Sequence, residues 1–530
     1  MRGSIEELLN EAGPGISSRI TAALVKRGVS ADAARQQVSR SRGSVHRLSG
    51  LTLPKKEKFL YLEAQFGRQP YWEALRRDLD ATNSVYGAAL HGLIARGGMV
   101  PKACFDVISG APVRQKGQVG AATVMQRMEA AHLVRTVSIE RYGDCVVLDC
   151  NGVFASGDVA FMKARLTTES ILLLAVRDWV RKLAMVSYNK VAIRDVGQPE
   201  RPAFGTCRWD LCGPSYLRPF VSRDSGGKPK PGFIVCDAFV NDGLGVGEIR
   251  YFLRKCQLLG SFVKLPPFLP ILVAARYSKE AFALGRSAGI LMATPQTLFG
   301  EEVAAALSSL LLTLTKAAAV AAGNPDKIYE LFSTLGRIEG AAANLRGVLF
   351  EMIVGFLVRE REGNSIDIGV EVTDPESGGS AEIDVRRIKE DQECWVYECK
   401  GHQPTDVVTV PMVKKWIDKV GIIHSVTRRE KRFQRSRFGF EYWTCGNFDS
   451  EAVDYLKNVQ STRPKLNVNW RDGSAVREYA ATTNKKSVLD TLDEHYFRHP
   501  LKTFEKRSAP VPNSDQIPVE MENRESEVSL

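Results

Sequence analysis

The chain has 530 residues, too many for one hydrophobic core, so about three or four domains are expected. Hydrophobic residues make up 44% and charged residues 25% of the chain, as in soluble globular proteins. The formal net charge of +11 suits a polyanionic partner, and nucleic acid is the first choice, although a basic protein without such a partner would show the same charge.

The cysteines and the apolar segments argue against zinc and membrane sites. None of the ten cysteines forms a Cys-x-x-Cys pair, so we predict reduced thiols in a cytoplasmic protein and no zinc site. Residues 1–12 lack the apolar core of a signal peptide. The longest apolar run, residues 303–315, is too short to span a bilayer, so no membrane partner is expected.

The first predicted domain covers residues 1–67. Two helices, the second capped by Ser30, precede two strand-like runs at residues 45–48 and 58–62. This order resembles a winged helix-turn-helix, whose second helix enters the major groove of double-stranded DNA. The alternative is a helical pair with a solvated basic face. The residues predicted to contact DNA are Arg35, Gln36, Arg40, Arg47, Lys55 and Lys56.

A similar order recurs over residues 68–158. Three predicted helices, at residues 71–95, 100–109 and 119–131, precede strand-like runs at 133–139 and 145–148. We therefore predict a second winged-helix-like domain. Because the first domain has the more basic second helix, we expect the first to bind DNA and the second to act as a spacer.

The third predicted domain, residues 159–322, alternates helices with short strands, which indicates an α/β fold. Asp178 lies in its first helix, Asp210 in its first strand and Asp237 in the next strand.

The fourth predicted domain, residues 323–470, contains the most informative pattern. An apolar helix carries Glu351, and two strand-like runs carry Asp384 and the sequence Glu398-Cys399-Lys400. If the two runs form a hairpin that turns near Asp391, Asp384 lies opposite Glu398, with Cβ atoms about 5 Å apart. Glu398 and Lys400 then share one face of the sheet, because side chains alternate along a strand.

Two opposed carboxylates destabilise a sheet unless a cation lies between them. Carboxylate oxygens suit Mg²⁺ or Mn²⁺, and such an ion lowers the pKa of a bound water and polarises a phosphodiester. The lysine can orient that water or stabilise the charge that develops on phosphorus. The alternative is an exposed hairpin in which Lys400 forms an ordinary salt bridge with Glu382 or Glu398.

This pattern resembles the PD-(D/E)XK, or restriction-endonuclease-like, nuclease superfamily over residues 335–460. Asp384 matches the first acid, and Glu398-Cys399-Lys400 matches the acid-x-lysine motif. Ile383 stands where the family name has proline. The resemblance implies the metal ligands Asp384, Glu398 and Glu351, and the catalytic residues Glu351, Asp384, Glu398, Lys400 and Gln403.

The resemblance extends to the third domain. The spacing from Asp178 to Asp210 is similar to that from Glu351 to Asp384, but Phe239 stands where the later motif has its lysine. We interpret residues 159–322 as a degenerate nuclease-like domain that serves as a scaffold or DNA clamp, with an unrelated α/β domain as the alternative.

The remaining predictions concern the C-terminal part. A basic run is predicted to hold nucleic-acid phosphates over the metal. It comprises Arg428, Arg429, Lys431, Arg432, Arg435 and Arg437, of which the first four are the predicted contacts. A strand is predicted to begin at residues 422–426. Residues 471–505 are predicted to form an extension, and residues 506–530 a disordered tail.

The sequence therefore predicts a multidomain α/β (α+β) protein with tandem winged-helix domains, a degenerate nuclease-like domain and a restriction-endonuclease-like catalytic domain. Its expected activity is Mg²⁺- or Mn²⁺-dependent DNA endonuclease hydrolysis, and the resemblance makes phage defence or DNA repair its expected setting. Because one active site cuts one strand, duplex cleavage requires a homodimer or sequential nicking. The alternatives are an RNA nuclease and a non-catalytic DNA-binding regulator.

Overall fold

The structure, a computed structural model, is a mixed α/β chain with several small sheets. It describes residues 4–149, 156–195, 201–223, 226–240, 243–324, 326–338, 340–401 and 405–497. The predicted disordered tail, residues 506–530, lies outside these ranges.

The N-terminal unit has helices Ile5–Ala12, Ser17–Lys26 and Ala31–Arg40, and a three-stranded sheet of Gly15–Ile16, Val45–Arg47 and Phe59–Leu62. Phe59–Leu62 is the middle strand. The Ser30 hydroxyl accepts a hydrogen bond from the Ala33 amide at 3.4 Å, which confirms the predicted cap. The first helix and first strand were not predicted.

The second unit contains four helices and a small sheet. The helices are Gln69–Ala81, Val85–Ala95, Lys102–Ile108 and Ala121–Ala130, and the strands are Met99–Pro101, Val134–Ile139 and Gly143–Leu148. The predicted helix over 71–95 is in fact two helices, because Asn83 has a positive φ and Ser84 caps the second. Residues 100 and 101, predicted as helix, belong to the first strand. Buried Phe59 and Tyr71 lie in one core cluster, so the two N-terminal units share a core.

The first α/β unit is built on the long helix Ser156–Lys182. Its five-stranded sheet has, in spatial order, Ala192–Ile193, Leu211–Ser215, Gly232–Ala238, Phe268–Val273 and Leu291–Ala293. The helices that follow are Val246–Gly260, Lys279–Ser287, Pro295–Phe299, Glu301–Thr315 and Ala317–Gly323. Two short ribbons pair Ala203–Phe204 with Cys207–Arg208 and Ser222–Arg223 with Pro229–Lys230.

The second α/β unit is built on Asp326–Leu335 and the long helix Ala341–Glu362. Its sheet has, in spatial order, Ser365–Thr373, Ser380–Lys389, Glu393–Lys400, Arg437–Thr444 and Val468–Arg471. The accompanying helices are Val410–Arg429, Ser450–Thr462, Gly473–Ala481 and Lys486–Leu492. The strand predicted at residues 422–426 is wrong, because this stretch continues the helix Val410–Arg429.

The two α/β units have the same topology. In each sheet the first three strands are antiparallel and the last three are parallel. In each unit a long helix precedes the first strand, and one helix joins the third strand to the fourth and another the fourth to the fifth. Both long helices and both sheets contribute to one core cluster, so the units pack as a pair. Val476, Val488 and Tyr496 lie in that cluster, so the predicted extension completes the core.

Ala341–Glu362 is the one helix among the described residues that is long and apolar enough to cross a membrane. Its apolar side chains are mostly buried in the shared core, as in the central helix of a soluble protein. The cysteines of the described chain are free thiols, nearly all buried. Cys150 lies outside the described residues.

Candidate active site

The central hairpin has the predicted register. Ser380–Lys389 and Glu393–Lys400 pair antiparallel from Lys389 opposite Glu393 to Val385 opposite Tyr397. The next pair in this register is Asp384 opposite Glu398. Asp391, in the turn, has φ of +54°, which confirms the predicted position of the turn.

Lys400 joins the two opposed carboxylates. Its Nζ lies 2.6 Å from Glu398 Oε1 and 3.6 Å from Asp384 Oδ2. Asp384 Oδ2 also accepts a hydrogen bond from the Cys399 amide at 2.7 Å, which fixes its orientation across the hairpin. The carboxylates are buried, whereas the Lys400 side chain is 29% exposed. The carboxylates hold the pKa of Lys400 well above its ordinary value, so the ammonium keeps its proton at neutral pH.

Glu351 comes to this site from the helix Ala341–Glu362. Its burial, and then the charges of Asp384 and Glu382, raise its pKa well above the ordinary value. Its closest cation in the described chain is Arg141, whose Nη1 is 3.9 Å from Glu351 Oε1. The structure thus brings together Glu351, Asp384, Glu398 and Lys400, which we call the candidate site. Gln403 lies outside the described residues.

Further charged residues surround the candidate site. The sequence interpretation missed Lys419, Lys163 and Glu371, and it named Glu382 only as a possible salt-bridge partner of Lys400. Lys419, on the helix Val410–Arg429, has its Nζ 3.4 Å from Glu398 Oε2. Lys163, on the helix Ser156–Lys182, lies 2.6 Å from both Glu371 and Glu382. Glu382 was detectable, because it lies two residues before Asp384 and therefore on the same face of the strand.

The tip of the hairpin Val134–Leu148, formed by Glu140 and Arg141, covers the candidate site. Arg141 Nη1 lies 3.9 Å from Glu382 as well as from Glu351. The Glu140 carboxylate accepts a hydrogen bond from the Glu382 amide and lies 3.3 Å from Lys419 Nζ. Arg141 has φ of +75°, a strained conformation for a residue with a side chain, and such strain is common at functional turns. A small cavity of about 70 Å³ lies beside the tip and reaches Glu351 and Glu382.

Carboxylates outnumber cations in this ion-pair network. Its carboxylates are Glu140, Glu351, Glu371, Glu382, Asp384 and Glu398, and its cations are Arg141, Lys163, Lys400 and Lys419. The excess is two negative charges, the charge that one divalent cation would neutralise. In agreement, burial and neighbouring carboxylates raise the pKa of Glu351, Glu371 and Glu398.

The donor chemistry fits a hard divalent cation, since all the acidic donors are carboxylate oxygens. Among the described residues, however, no group of three or more His, Cys, Asp or Glu side chains is arranged to hold an ion. Lys400 and Arg141 lie between the carboxylates, so binding of an ion requires one of these side chains to move.

The first α/β unit contains an equivalent cluster of buried charges. Asp210 Oδ2 accepts a hydrogen bond from the Ala238 amide at 3.1 Å, as Asp384 does from Cys399. Lys255 Nζ lies 2.6 Å from Asp237 Oδ2, as Lys419 lies beside Glu398. Both lysines lie on the helix that joins the third strand to the fourth. The correspondence supports the predicted pairing of Asp210 and Asp237 with Asp384 and Glu398.

The sequence prediction that Asp178 is the helix acid equivalent to Glu351 is wrong. Asp178 lies beside Arg177, whereas Glu169 lies in the cluster with Asp210. Arg194 bridges Glu169 and Asp210 at 2.7 Å to each, and Arg96 bridges the same pair at 2.6 Å. Asp178 is nine positions further along the helix, which is about two and a half turns, so it projects from the opposite face of the helix, away from the cluster.

The cations of this neutralised cluster outnumber its acids. Its acids are Glu169, Asp210 and Asp237, and its cations are Arg96, Arg165, Arg194 and Lys255. Burial of Glu169 and Asp210 would raise the pKa of their carboxyl groups, but the surrounding guanidinium groups lower it further than burial raises it. Both acids therefore stay ionised and paired. No charge is left for a metal ion to neutralise.

The predicted DNA contacts of the N-terminal unit lie around one groove. Arg35, Arg47 and Lys56 line it between the second and third helices and the wing. Gln36, Arg40 and Lys55 are exposed on the same elements. Arg47 Nη2 donates to the carbonyl groups of Val38 and Ser39 at 3.0 Å, so it also joins the wing to the helix.

The basic run does not lie over the metal motif as predicted. Arg428 donates to the Ser436 carbonyl at 3.0 Å, and the following residue, Arg437, pairs with Glu393 at the turn end of the hairpin. Glu393 and Lys400 are the two ends of one strand, roughly 23 Å apart at 3.3 Å per residue. Two further members of the run are also engaged, since Arg429 pairs with Asp374 and Arg432 with Glu430. Lys431 lies in the short helical turn that follows.

Comparisons of the chain with protein-family models, with curated proteins and with solved structures found no match.

Proposed function

We propose that the second α/β unit hydrolyses phosphodiester bonds of nucleic acid with a divalent cation, Mg²⁺ or Mn²⁺, as in the PD-(D/E)XK nucleases it resembles. The observation that carries the proposal is the meeting of Glu351, Asp384, Glu398 and Lys400 in a network with two uncompensated negative charges. In the equivalent cluster of the first α/β unit, by contrast, every buried acid is paired with a cation, and no excess of negative charge remains.

The residues of the candidate site have separable roles in this proposal. Asp384, Glu398 and Glu351 would hold the cation, which supplies Lewis acidity and a water of lowered pKa. Lys400 keeps its proton at neutral pH, so it stabilises negative charge on the phosphoryl oxygens and does not act as a general base. The Cys399 amide holds Asp384 in place.

The N-terminal units supply the proposed targeting. Three helices and a wing-like sheet, with Arg35 and Lys56 at an open groove, support a winged-helix domain that binds double-stranded DNA. The second unit has a similar order and places its hairpin at the candidate site. The first α/β unit is proposed to be a degenerate nuclease-like copy. A cytoplasmic location rests on the cysteine pattern, and a role in phage defence or DNA repair rests on the resemblance alone.

A second candidate is a nucleic-acid-binding regulator without catalysis. The observation that favours it is the position of Arg141 between Glu351 and Glu382, where its guanidinium supplies positive charge that a bound cation would otherwise provide.

A cleavage assay separates the two candidates. Supercoiled plasmid, linear duplex, single-stranded DNA and RNA are incubated with Mg²⁺ or Mn²⁺ and wild type, Asp384→Asn or Lys400→Met. Glu390→Gln is the matched control, because Glu390 is an exposed acid on the turn of the same hairpin. Cleavage by wild type and Glu390→Gln alone supports the nuclease. Binding without cleavage by any of the four proteins supports the regulator.

A further inference from the structure

The first α/β unit carries an insertion that its partner unit lacks. In the second unit, residues 390–392 join the two central strands. In the first unit the equivalent connection, between Leu211–Ser215 and Gly232–Ala238, is residues 216–231. Part of it folds into the ribbon Ser222–Arg223 with Pro229–Lys230. The first α/β unit, whose buried acids are neutralised, therefore has additional surface at the end of its sheet opposite those acids.

The composition of this insertion is basic. Its exposed cations are Arg218, Arg223, Lys228 and Lys230, and Asp224 is its one acid in the sequence. The short connection in the second unit is acidic by contrast, with Glu390 and Asp391. Arg223 Nη1 donates to the Gly227 carbonyl at 3.0 Å, which closes the ribbon and gives the cations a defined base.

An exposed tyrosine, Tyr216, begins the insertion, and a second, Tyr188, lies on the neighbouring segment. Tyr216 is 57% and Tyr188 59% exposed, far more than usual for such a large ring. The segments that carry them are joined, because the Ser187 amide donates to the Pro214 carbonyl at 2.9 Å and the Ser215 hydroxyl donates to the Met185 carbonyl at 2.7 Å. The Arg181 guanidinium lies over one face of the Tyr188 ring, 4.6 Å from the ring centre, and so places a cation next to the tyrosine.

Further cations lie near Tyr188 in the sequence. Lys182 and Lys190 are exposed on the segment that carries Tyr188, and residues 180–194 contain no acid. Exposed aromatic rings among cations match single-stranded nucleic acid, whose unpaired bases stack on the rings while its phosphates contact the cations. Duplex bases are already stacked and would leave the tyrosines without a partner.

We propose that Tyr188, Tyr216 and the exposed cations Arg218, Arg223 and Lys230 of the insertion form a binding surface for a single-stranded segment of nucleic acid. The surface would hold one strand away from the neutralised cluster while the second α/β unit acts on the substrate. The proposal shares with the proposed function only the class of ligand, so binding can be measured without cleavage.

The test is fluorescence anisotropy with labelled oligothymidylate of about 20 nucleotides and with a duplex of equal length. The protein is the full chain with Asp384→Asn, which leaves the oligonucleotide intact. Adding Tyr188→Ala and Tyr216→Ala is expected to weaken binding of the single strand about tenfold and to leave duplex binding unchanged. Tyr329→Ala is the control, because Tyr329 is an exposed tyrosine elsewhere.

The cations are tested separately. Adding Arg218→Ala and Lys230→Ala is expected to lower the slope of log affinity against log salt by about 0.7 for each phosphate that the protein no longer neutralises. The proposal is overturned if the tyrosine variants bind the single strand as tightly as their parent, or if single strand and duplex lose affinity equally. Tyrosine-dependent binding by a wild type that cuts no nucleic acid would refute the proposed nuclease and leave this surface standing.

Discussion

Removing the Arg141 side chain is expected to strengthen binding of a divalent cation at the candidate site. Arg141 Nη1 lies 3.9 Å from one oxygen of Glu351 and one of Glu382. At this distance a pair of unit charges interacts by about 1 kcal/mol in water and about 4 kcal/mol at an effective dielectric constant of 20. Because the Arg141 side chain is 59% exposed, the lower figure applies to each pair.

Arg141→Ala therefore leaves the network with three uncompensated negative charges and removes about 1–2 kcal/mol of competing interaction. The expected gain in Mn²⁺ affinity is about 5- to 30-fold, measured by isothermal titration calorimetry on the full chain. Arg141→Lys, which keeps the charge, is the matched control and should show a much smaller gain. Unchanged or weaker Mn²⁺ binding by Arg141→Ala would refute the idea that Arg141 takes the place of the cation.

Three more predictions concern the two clusters. Lys419→Met removes a cation that opposes protonation of Glu398, so the acid limb of the pH–cleavage profile should move to higher pH, whereas Lys415→Met on the same helix should leave it unchanged. The pKa values of Glu351 and Glu398 are raised in the folded protein, which therefore binds more protons than the unfolded chain does. The unfolding free energy of the metal-free protein should therefore fall as pH rises from the ordinary carboxyl pKa through these raised values. Thermal unfolding at pH 5 and pH 8 would show this fall, and a fall of undiminished size in Glu351→Gln or in saturating Mg²⁺ would argue against the assignment. Asp210→Ala removes one of the two carboxylates that pair with the buried guanidinium groups of Arg96 and Arg194, and should cost roughly 3–5 kcal/mol of unfolding free energy in denaturant titrations, with no change in Mn²⁺ affinity of the fraction that stays folded.

The local part of the candidate site was predictable from the sequence. Asp384 and Glu398 lie on two strands joined by a short turn, so alternation and the position of Asp391 determine their register. Glu398 and Lys400 share a face for the same reason. The apolar helix that carries Glu351 was also visible, since its length and hydrophobicity exceed those of a surface helix.

The tertiary structure decided which other charged residues lie beside Asp384, Glu398 and Lys400. Arg141 lies more than two hundred positions before Glu351 in the chain, and no local pattern connects residues so far apart. Asp178 and Glu169 are both acids of one long helix, and only its docking against the sheet selects Glu169. The basic run shows the reverse: Arg428 is close to Lys400 in sequence, but the intervening helix carries it to the other end of the sheet.

The shared topology of the two α/β units separates what the local sequence determines from what the tertiary structure determines. In both units, alternating strands and buried helices encode the same sheet, because local periodicity determines which residues can face a core. Whether the acids that meet at that sheet are neutralised depends on cations from distant segments, such as Arg96 for Asp210 and Arg141 for Glu351. Burial makes these long-range ion pairs decisive, since a buried carboxylate must find a cation or take up a proton.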